Sequence, residues 1–99
     1  MSRQTGGIMV EVDGAASAVA TMNVISSAIN NGRNYIVIQN THPTQTLGWT
    51  CTVGLTPVLG SVGFTLLPGG SYTADTGVFQ GPVNVIGSGA GTTYHIGTF

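Results

Sequence analysis

From residue 30 onward the chain keeps one rhythm: a short run of β-branched, aromatic and aliphatic residues, then a break rich in Gly, Asn or Pro. The runs predict strands over 33–40, 47–53, 62–67, 71–74, 82–86 and 92–98. The breaks are Asn30-Asn31-Gly32, His42-Pro43, Pro68-Gly69-Gly70 and Gly87-Ser88-Gly89-Ala90-Gly91. Alternation within the runs predicts the core: Trp49, Cys51 and Val53 on one face against Thr50 and Thr52, Phe64 with Leu66, and Tyr94 with Ile96. Tyr35-Ile36-Val37-Ile38 is apolar on both faces and reads as a central strand. Asn84 falls inside a strand and requires partners if buried.

The first thirty residues carry a mixed pattern. Residues 8–12 read as extended. Ala15, Ala18, Val19, Met22 and Ile29 fit helical spacing, while 19–25 accepts strand alternation equally, and the β-branched pair Val24-Ile25 favours a strand. The expected architecture is all-β: a small antiparallel β-sandwich, jelly-roll-like, over residues 18–99, preceded by an extended N-terminal arm over 1–17. No internal repeat or linker marks a second domain, and 99 residues suffice for one modest core. The 16 glycines serve the turns and disfavour helix.

Charge sharpens this picture. Only 5% of residues are charged, where soluble domains carry about 25%. They are Arg3, Glu11, Asp13, Arg33 and Asp75. Two cations cannot make the basic patch that nucleic acid or an anionic membrane requires, and no apolar run is long enough to span a bilayer. Neither nucleic acid nor membrane is an expected partner. Residues 1–7 lack the apolar stretch of a signal peptide, so synthesis in a host cytoplasm is expected. A surface covered by Thr, Ser, Asn and Gln suits packing against neutral protein neighbours, since few ions need be desolvated.

One triplet suggests catalysis. Asp75-Thr76-Gly77 resembles the turn bearing the catalytic aspartate of pepsin-like and retroviral proteases, and 82–87 resembles a segment near the end of the retroviral enzymes. Those enzymes bring two carboxylates together to share a proton. Their catalytic turn lies early, a flap follows, and the closing segment comes well downstream. Here only Val78-Phe79-Gln80-Gly81 separates the two pieces, and Ser71-Tyr72-Thr73-Ala74 lacks the preceding hydrophobic run. The triplet therefore reads as a turn with Gly77 at positive φ, and no enzymatic activity is expected.

The remaining candidates read as structural. His42 and His95 have no Cys or carboxylate at ligand spacing, so no metal is expected, and no cofactor either. Cys51 alternates with core positions and reads as a buried thiol. Gly69-Gly70-Ser71 and Gly87-Ser88-Gly89 precede no helix and make no phosphate cradle. Arg33 is expected to form a structural ion pair with Asp75 or Glu11. Trp49 and the tyrosines are the residue types that stack on sugars, but alternation assigns most of them to the core.

Three stretches resemble a pattern in small β-sandwich virion proteins of tailed bacteriophages. They are Asn31-Gly32-Arg33-Asn34-Tyr35-Ile36-Val37-Ile38-Gln39-Asn40, Leu66-Leu67-Pro68-Gly69-Gly70-Ser71-Tyr72 and Gly81-Pro82-Val83-Asn84-Val85-Ile86. The likeness covers roughly residues 22–98, loosely, and its motifs are structural. It implies a capsid decoration (cement) protein on the virion surface, a homo-oligomer (dimer or trimer) contacting the major capsid protein and stabilising the head. A tail, neck or fibre accessory protein, or a carbohydrate- or receptor-binding module, is the alternative. The candidate intersubunit arm is Ile8, Met9, Val10, Glu11 and Val12, an extended segment suited to adding a strand to a neighbour's sheet.

Overall fold

The structure, a computed structural model, describes residues 10–18, 20–25, 33–52 and 54–98, and for Val10, Glu11 and Val12 the backbone alone. Eight strands follow in chain order: β1 (Val10–Ala16), β2 (Met22–Ile25), β3 (Ile36–Asn40), β4 (Leu47–Thr50), β5 (Phe64–Leu66), β6 (Ser71–Ala74), β7 (Val83–Gly87) and β8 (Thr92–Thr98). They form two four-stranded antiparallel sheets, ordered β1-β8-β3-β6 and β2-β7-β4-β5, with no helix among the described residues. The pairs β1–β8, β2–β7, β3–β6 and β4–β5 are nested, as in one long hairpin wound into two layers. That winding is a jelly roll, and the all-β sandwich expected from the pattern is the fold observed.

Alternation in the sequence becomes burial in the structure. Val83 and Val85 of β7 are buried while Asn84 and Ile86 are half-buried; Tyr94 and Ile96 of β8 face inward while Thr93 and His95 do not. With Ala16, Ile25, Ile36, Ile38, Leu47 and Trp49 they fill the space between the sheets. Each Ile, Leu or Val so enclosed contributes about 1.5–3 kcal/mol. β3 is an inner strand bonded to both β6 and β8, as its apolar run implied. Half-buried Asn84 finds its partners in Asn23, which donates to it at 2.8 Å, and the Thr50 hydroxyl at 3.4 Å.

Three strands are shorter than their sequence runs, each for a local reason. β3 starts at Ile36 rather than 33 because the Arg33 backbone is already engaged by the Gln80 side chain. The Arg33 N–H donates to Gln80 Oε1 at 2.7 Å and Gln80 Nε2 donates to the Arg33 carbonyl at 2.8 Å. β4 stops at Thr50, whose hydroxyl turns to the Leu55 carbonyl at 2.6 Å, and Val53 lies outside the described residues. β5 starts at Phe64 because Val62 pairs back onto Val58 in a tight turn.

β1 falls within the stretch read as an arm. It pairs with β8 of its own chain from Val10↔Thr98 to Ala16↔Thr92, so the sandwich reaches back to Val10. Ile8 and Met9 lie outside the described residues. Close approach explains Gly14 in β1: a Cβ there would meet the hydroxyl of buried Tyr94 at 2.5 Å.

The winding gathers the connections at two ends, and β3 runs between them. At its C-terminal end Asn40 is 1% exposed and fully engaged. Its side-chain amide donates to the carbonyls of Gln45 at 2.7 Å and Leu66 at 3.0 Å, and its Oδ1 accepts the His42 N–H at 3.0 Å. One amide thus links β3 of the first sheet to β5 of the second and to the loop entering β4. His42 continues the network, its Nδ1 accepting the N–H groups of Thr44 at 3.1 Å and Gln45 at 3.0 Å. The Gln45 side chain then accepts from the buried Thr92 hydroxyl at 2.6 Å.

Because two carbonyls take their hydrogen bonds from buried Asn40, Asn40→Ala should destabilise the fold by about 2–4 kcal/mol, measured by urea unfolding. Asn40→Asp, which keeps the acceptor and loses both donors, should be no better. A loss below about 0.5 kcal/mol in both variants would show that water or other groups replace the amide.

Burial raises the Tyr94 phenol above its ordinary value of 10.0. A raised folded-state value means stability that is complete below the unfolded value and lost as pH climbs through the folded one. Wild-type protein should therefore lose stability more steeply than Tyr94→Phe as pH rises above about 10. Parallel curves of unfolding free energy against pH would contradict this.

Candidate functional site

The single tryptophan organises one flank of the sandwich. Trp49 on β4 pairs with Phe64 on β5, and Tyr72 on β6 pairs with the core residue Ile38, so all three rings are directed between the sheets. β5 and β6 are the edge strands of the two sheets on this flank, joined across it by the Pro68-Gly69-Gly70 turn. Ring centroids lie 4.7 Å apart for Trp49–Phe64, 5.1 Å for Trp49–Tyr72 and 5.8 Å for Trp49–Phe79. Trp49 is 2% exposed, whereas Phe64 is 57%, Leu67 68% and Tyr72 37% exposed. The interior therefore opens to solvent here through a mouth of aromatic and aliphatic side chains. Buried Trp49 Nε1 finds no acceptor among the described residues. No charged side chain belongs to β5, β6 or the turn between them; Asp75 follows just after β6.

Sequence reasoning placed Phe64 and Leu66 on one face but did not reveal this opening. A usable signal was present. Leu66-Leu67 runs directly into Pro68-Gly69-Gly70, so an apolar residue stands where a turn ordinarily places a polar one.

Behind the mouth lies the second buried polar anchor. Arg33 is 3% exposed, at the N-terminal end of β3. Its Nη1 donates to the Phe79 carbonyl at 2.8 Å and its Nη2 to the Gly81 carbonyl at 3.1 Å, while the guanidinium lies 5.1 Å from the Phe79 ring centroid. Burial pulls its pKa below the ordinary arginine value, an effect partly opposed by Cys51. The expected ion pair with Asp75 is corrected: Asp75 is exposed and no ion pair joins it to Arg33, while the side chain of Glu11, the other expected partner, lies outside the description. The planar fork instead ties the segment leading into β7, across the two layers. Gly81 is required at that point because any Cβ would strike the Cys51 carbonyl.

The other sequence candidates are dispersed. Asp75-Thr76-Gly77 is an exposed bend in which Gly77 takes a φ of 64° and the Thr76 hydroxyl donates to Asp75 Oδ1 at 3.4 Å. Cys51 is half-buried against the core and makes no disulfide. His95 Nδ1 lies 2.5 Å from Asp13 Oδ1 across the β8–β1 pair, the one contact of a carboxylate with a basic side chain among the described residues. His42 serves its own loop. Among the described residues no three His, Cys, Asp or Glu side chains are grouped as for a metal ion. Of the candidate arm, Val10, Glu11 and Val12 lie in β1, and Ile8 and Met9 fall outside the description.

If the Arg33 fork holds backbone carbonyls, Arg33→Lys should destabilise the protein by about 1.5–3 kcal/mol despite keeping the charge. That loss should be equal at about 0.05 M and about 1 M salt, and Asp75→Asn should change stability by less than about 0.5 kcal/mol. A salt-dependent loss, or a destabilising Asp75→Asn, would restore the ion pair.

No protein-family model matches this chain, and no curated protein or solved structure is significantly similar to it.

Proposed function

We propose that this protein is a non-enzymatic structural component of a bacteriophage virion, a capsid decoration protein. In this reading copies of the chain join on the shell, contact the major capsid protein and stabilise the head. The observation that carries it is the uncharged apolar flank formed by Phe64, Leu67 and Tyr72 beside two unpaired sheet edges. Such a flank suits burial against protein, since it exposes apolar area and requires no ion to be stripped of water. On a symmetric lattice many weak contacts act together, so no single deep pocket is needed. Jelly rolls recur in viral capsid and lectin domains, an analogy of fold that supports the reading without specifying it.

The lectin alternative would draw on the same flank. A sugar platform needs flat rings with polar groups beside them, and Trp49 and Tyr94 are buried. That leaves Tyr72 and Phe64 as the exposed rings among the described residues, and Phe64 has no polar handle. The decoration reading is therefore preferred. In it, contact by the candidate arm would use residues before Val10 or an exchange of β1 as a whole.

Quantitative mass spectrometry of purified phage particles tests the proposal. Copies in the hundreds are expected for a shell protein, and about six or twelve would assign it to a tail or neck ring instead. Absence from particles would reject the virion role. Removing residues 1–9, which leaves β1 whole, should reduce particle binding if the arm attaches; equal decoration would dismiss the arm.

A further inference from the structure

We infer that β6 is the edge through which two copies of this chain join, β6 against β6 in antiparallel pairing about a twofold axis at Tyr72. The sandwich has four edge strands: β1, β6, β2 and β5. Edges of natural sheets are protected against further pairing by charge, bulges, proline or shortness. β1 carries Asp13, whose side chain is 81% exposed, and Glu11. β2 is broken by a register shift between Asn23 and Ile25. β5 is only 3 residues long. β6 is 4 residues long and has no charge, proline or bulge: Ser71-Tyr72-Thr73-Ala74 holds unbroken register with β3, and the Gly70 carbonyl prolongs the ladder by one residue.

The hydrogen-bond phase of β6 is determined. The Asn40 N–H donates to the Gly70 carbonyl at 2.9 Å, so Tyr72 and Ala74 bond toward Ile38 and Ile36. The N–H and C=O groups of Ser71 and Thr73 then face away from the sheet. A twofold axis perpendicular to the sheet keeps its inner face continuous and requires each residue to oppose one on the same face. Centred on Tyr72, it sets Ser71 opposite Thr73 of the second copy, engages the outward groups of both residues in both copies, and brings the two Tyr72 side chains together. Centred on Thr73, it would set Ser71 against Asp75, beyond the end of the strand.

Charge placement fits a second copy as the occupant. Asp75 is the one charged residue bordering β6, 3 positions from Tyr72. Antiparallel pairing sends the two Asp75 carboxylates to opposite ends, about 20 Å apart at roughly 3.4 Å per residue, beyond the screening length of about 8–10 Å. The exposed rings of Tyr72 and Phe64 are covered or bordered by the joined flanks. This inference deepens the self-association in the proposed function and rests on that part of it alone.

Sedimentation velocity of the purified chain over a concentration series is the test. Wild-type protein should show a reversible dimer. Thr73→Pro, at a position whose N–H faces outward, should leave the monomer folded by circular dichroism and raise the dimer dissociation constant at least about tenfold. The double variants S71K/T73K and S71D/T73D should each behave as monomers, because position 71 faces position 73 of the other copy. Mixed in equal amounts, they should recover a one-to-one dimer. Monomeric wild-type protein at about 100 µM, or double variants that self-associate like wild type, would overturn the inference. Dimerisation through β6 by a chain missing from particles would remove the capsid reading alone.

Discussion

A strand flanked by neighbours on both edges in a two-layer sandwich needs polar anchors where it enters and leaves the core, and in this protein β3 has one at each end. Apolar contact between Ile36, Ile38, Leu47, Trp49, Val83, Val85 and Ile96 holds the sheets together, but it is non-directional and leaves their relative position weakly defined. Arg33 and Asn40 supply direction. Arg33 reaches from the first sheet to the carbonyls of Phe79 and Gly81, which lead into β7 of the second. Asn40 reaches to Leu66 in β5 and Gln45 before β4. Each uses two donors to hold two backbone carbonyls, so removing either takes away both bonds at once. The layers are thereby pinned at opposite ends of one strand.

This arrangement follows from a chain with almost no ions. A buried guanidinium ordinarily takes a carboxylate partner, but the described carboxylates are occupied elsewhere or exposed: Asp13 meets His95 on the outer face, and Asp75 lies in a bend. Backbone carbonyls, held in fixed positions by the segment entering β7, take that role. The same substitution of neutral groups for charges runs through the molecule. Gln80 pairs with the Arg33 backbone as a neighbouring strand would, and Thr92, Gln45, Ser88 and Thr46 join the loops at the opposite end. Neutral hydrogen bonds of this kind fix geometry without a long-range field.

Much of the fold was legible in the sequence because its signals are local. Alternation in 82–86 and 92–98 named the inward residues Val83, Val85, Tyr94 and Ile96, and the doubly apolar 35–38 run named an inner strand. What alternation cannot convey is the neighbour on the other side. Phe64 obeys the pattern yet is more than half exposed, because β5 is an edge strand and no described residue covers its outer flank. The His95–Asp13 pair depends on a register between residues 82 positions apart, which no local signal carries. The Arg33 partner was missed for a related reason: a list of carboxylates excludes backbone carbonyls, and only the folded 79–81 segment shows that they are available. Residues 10–16 read as an arm because an edge strand of small residues, Gly14, Ala15 and Ala16 among them, lacks strong strand propensity.

The two flanks of the sandwich close differently, and the difference follows from side-chain size. On the β1–β2 flank the innermost residues are Ala16 and Ile25, each 1% exposed, and Gly14 lets Tyr94 lie close beneath its strand. Small residues let β1 lie close over the core there. On the β5–β6 flank the rings of Trp49, Phe64 and Tyr72 stand between the layers. Three rings side by side take more width than the edges of two short strands can cover. Burying Trp49 therefore displaces Phe64 and Tyr72 outward, where they screen the indole from water while remaining partly wet themselves. An apolar mouth on this flank is thus a geometric consequence of setting the largest residue of the core next to the shortest edge strand, and it stays open to whatever surface covers it.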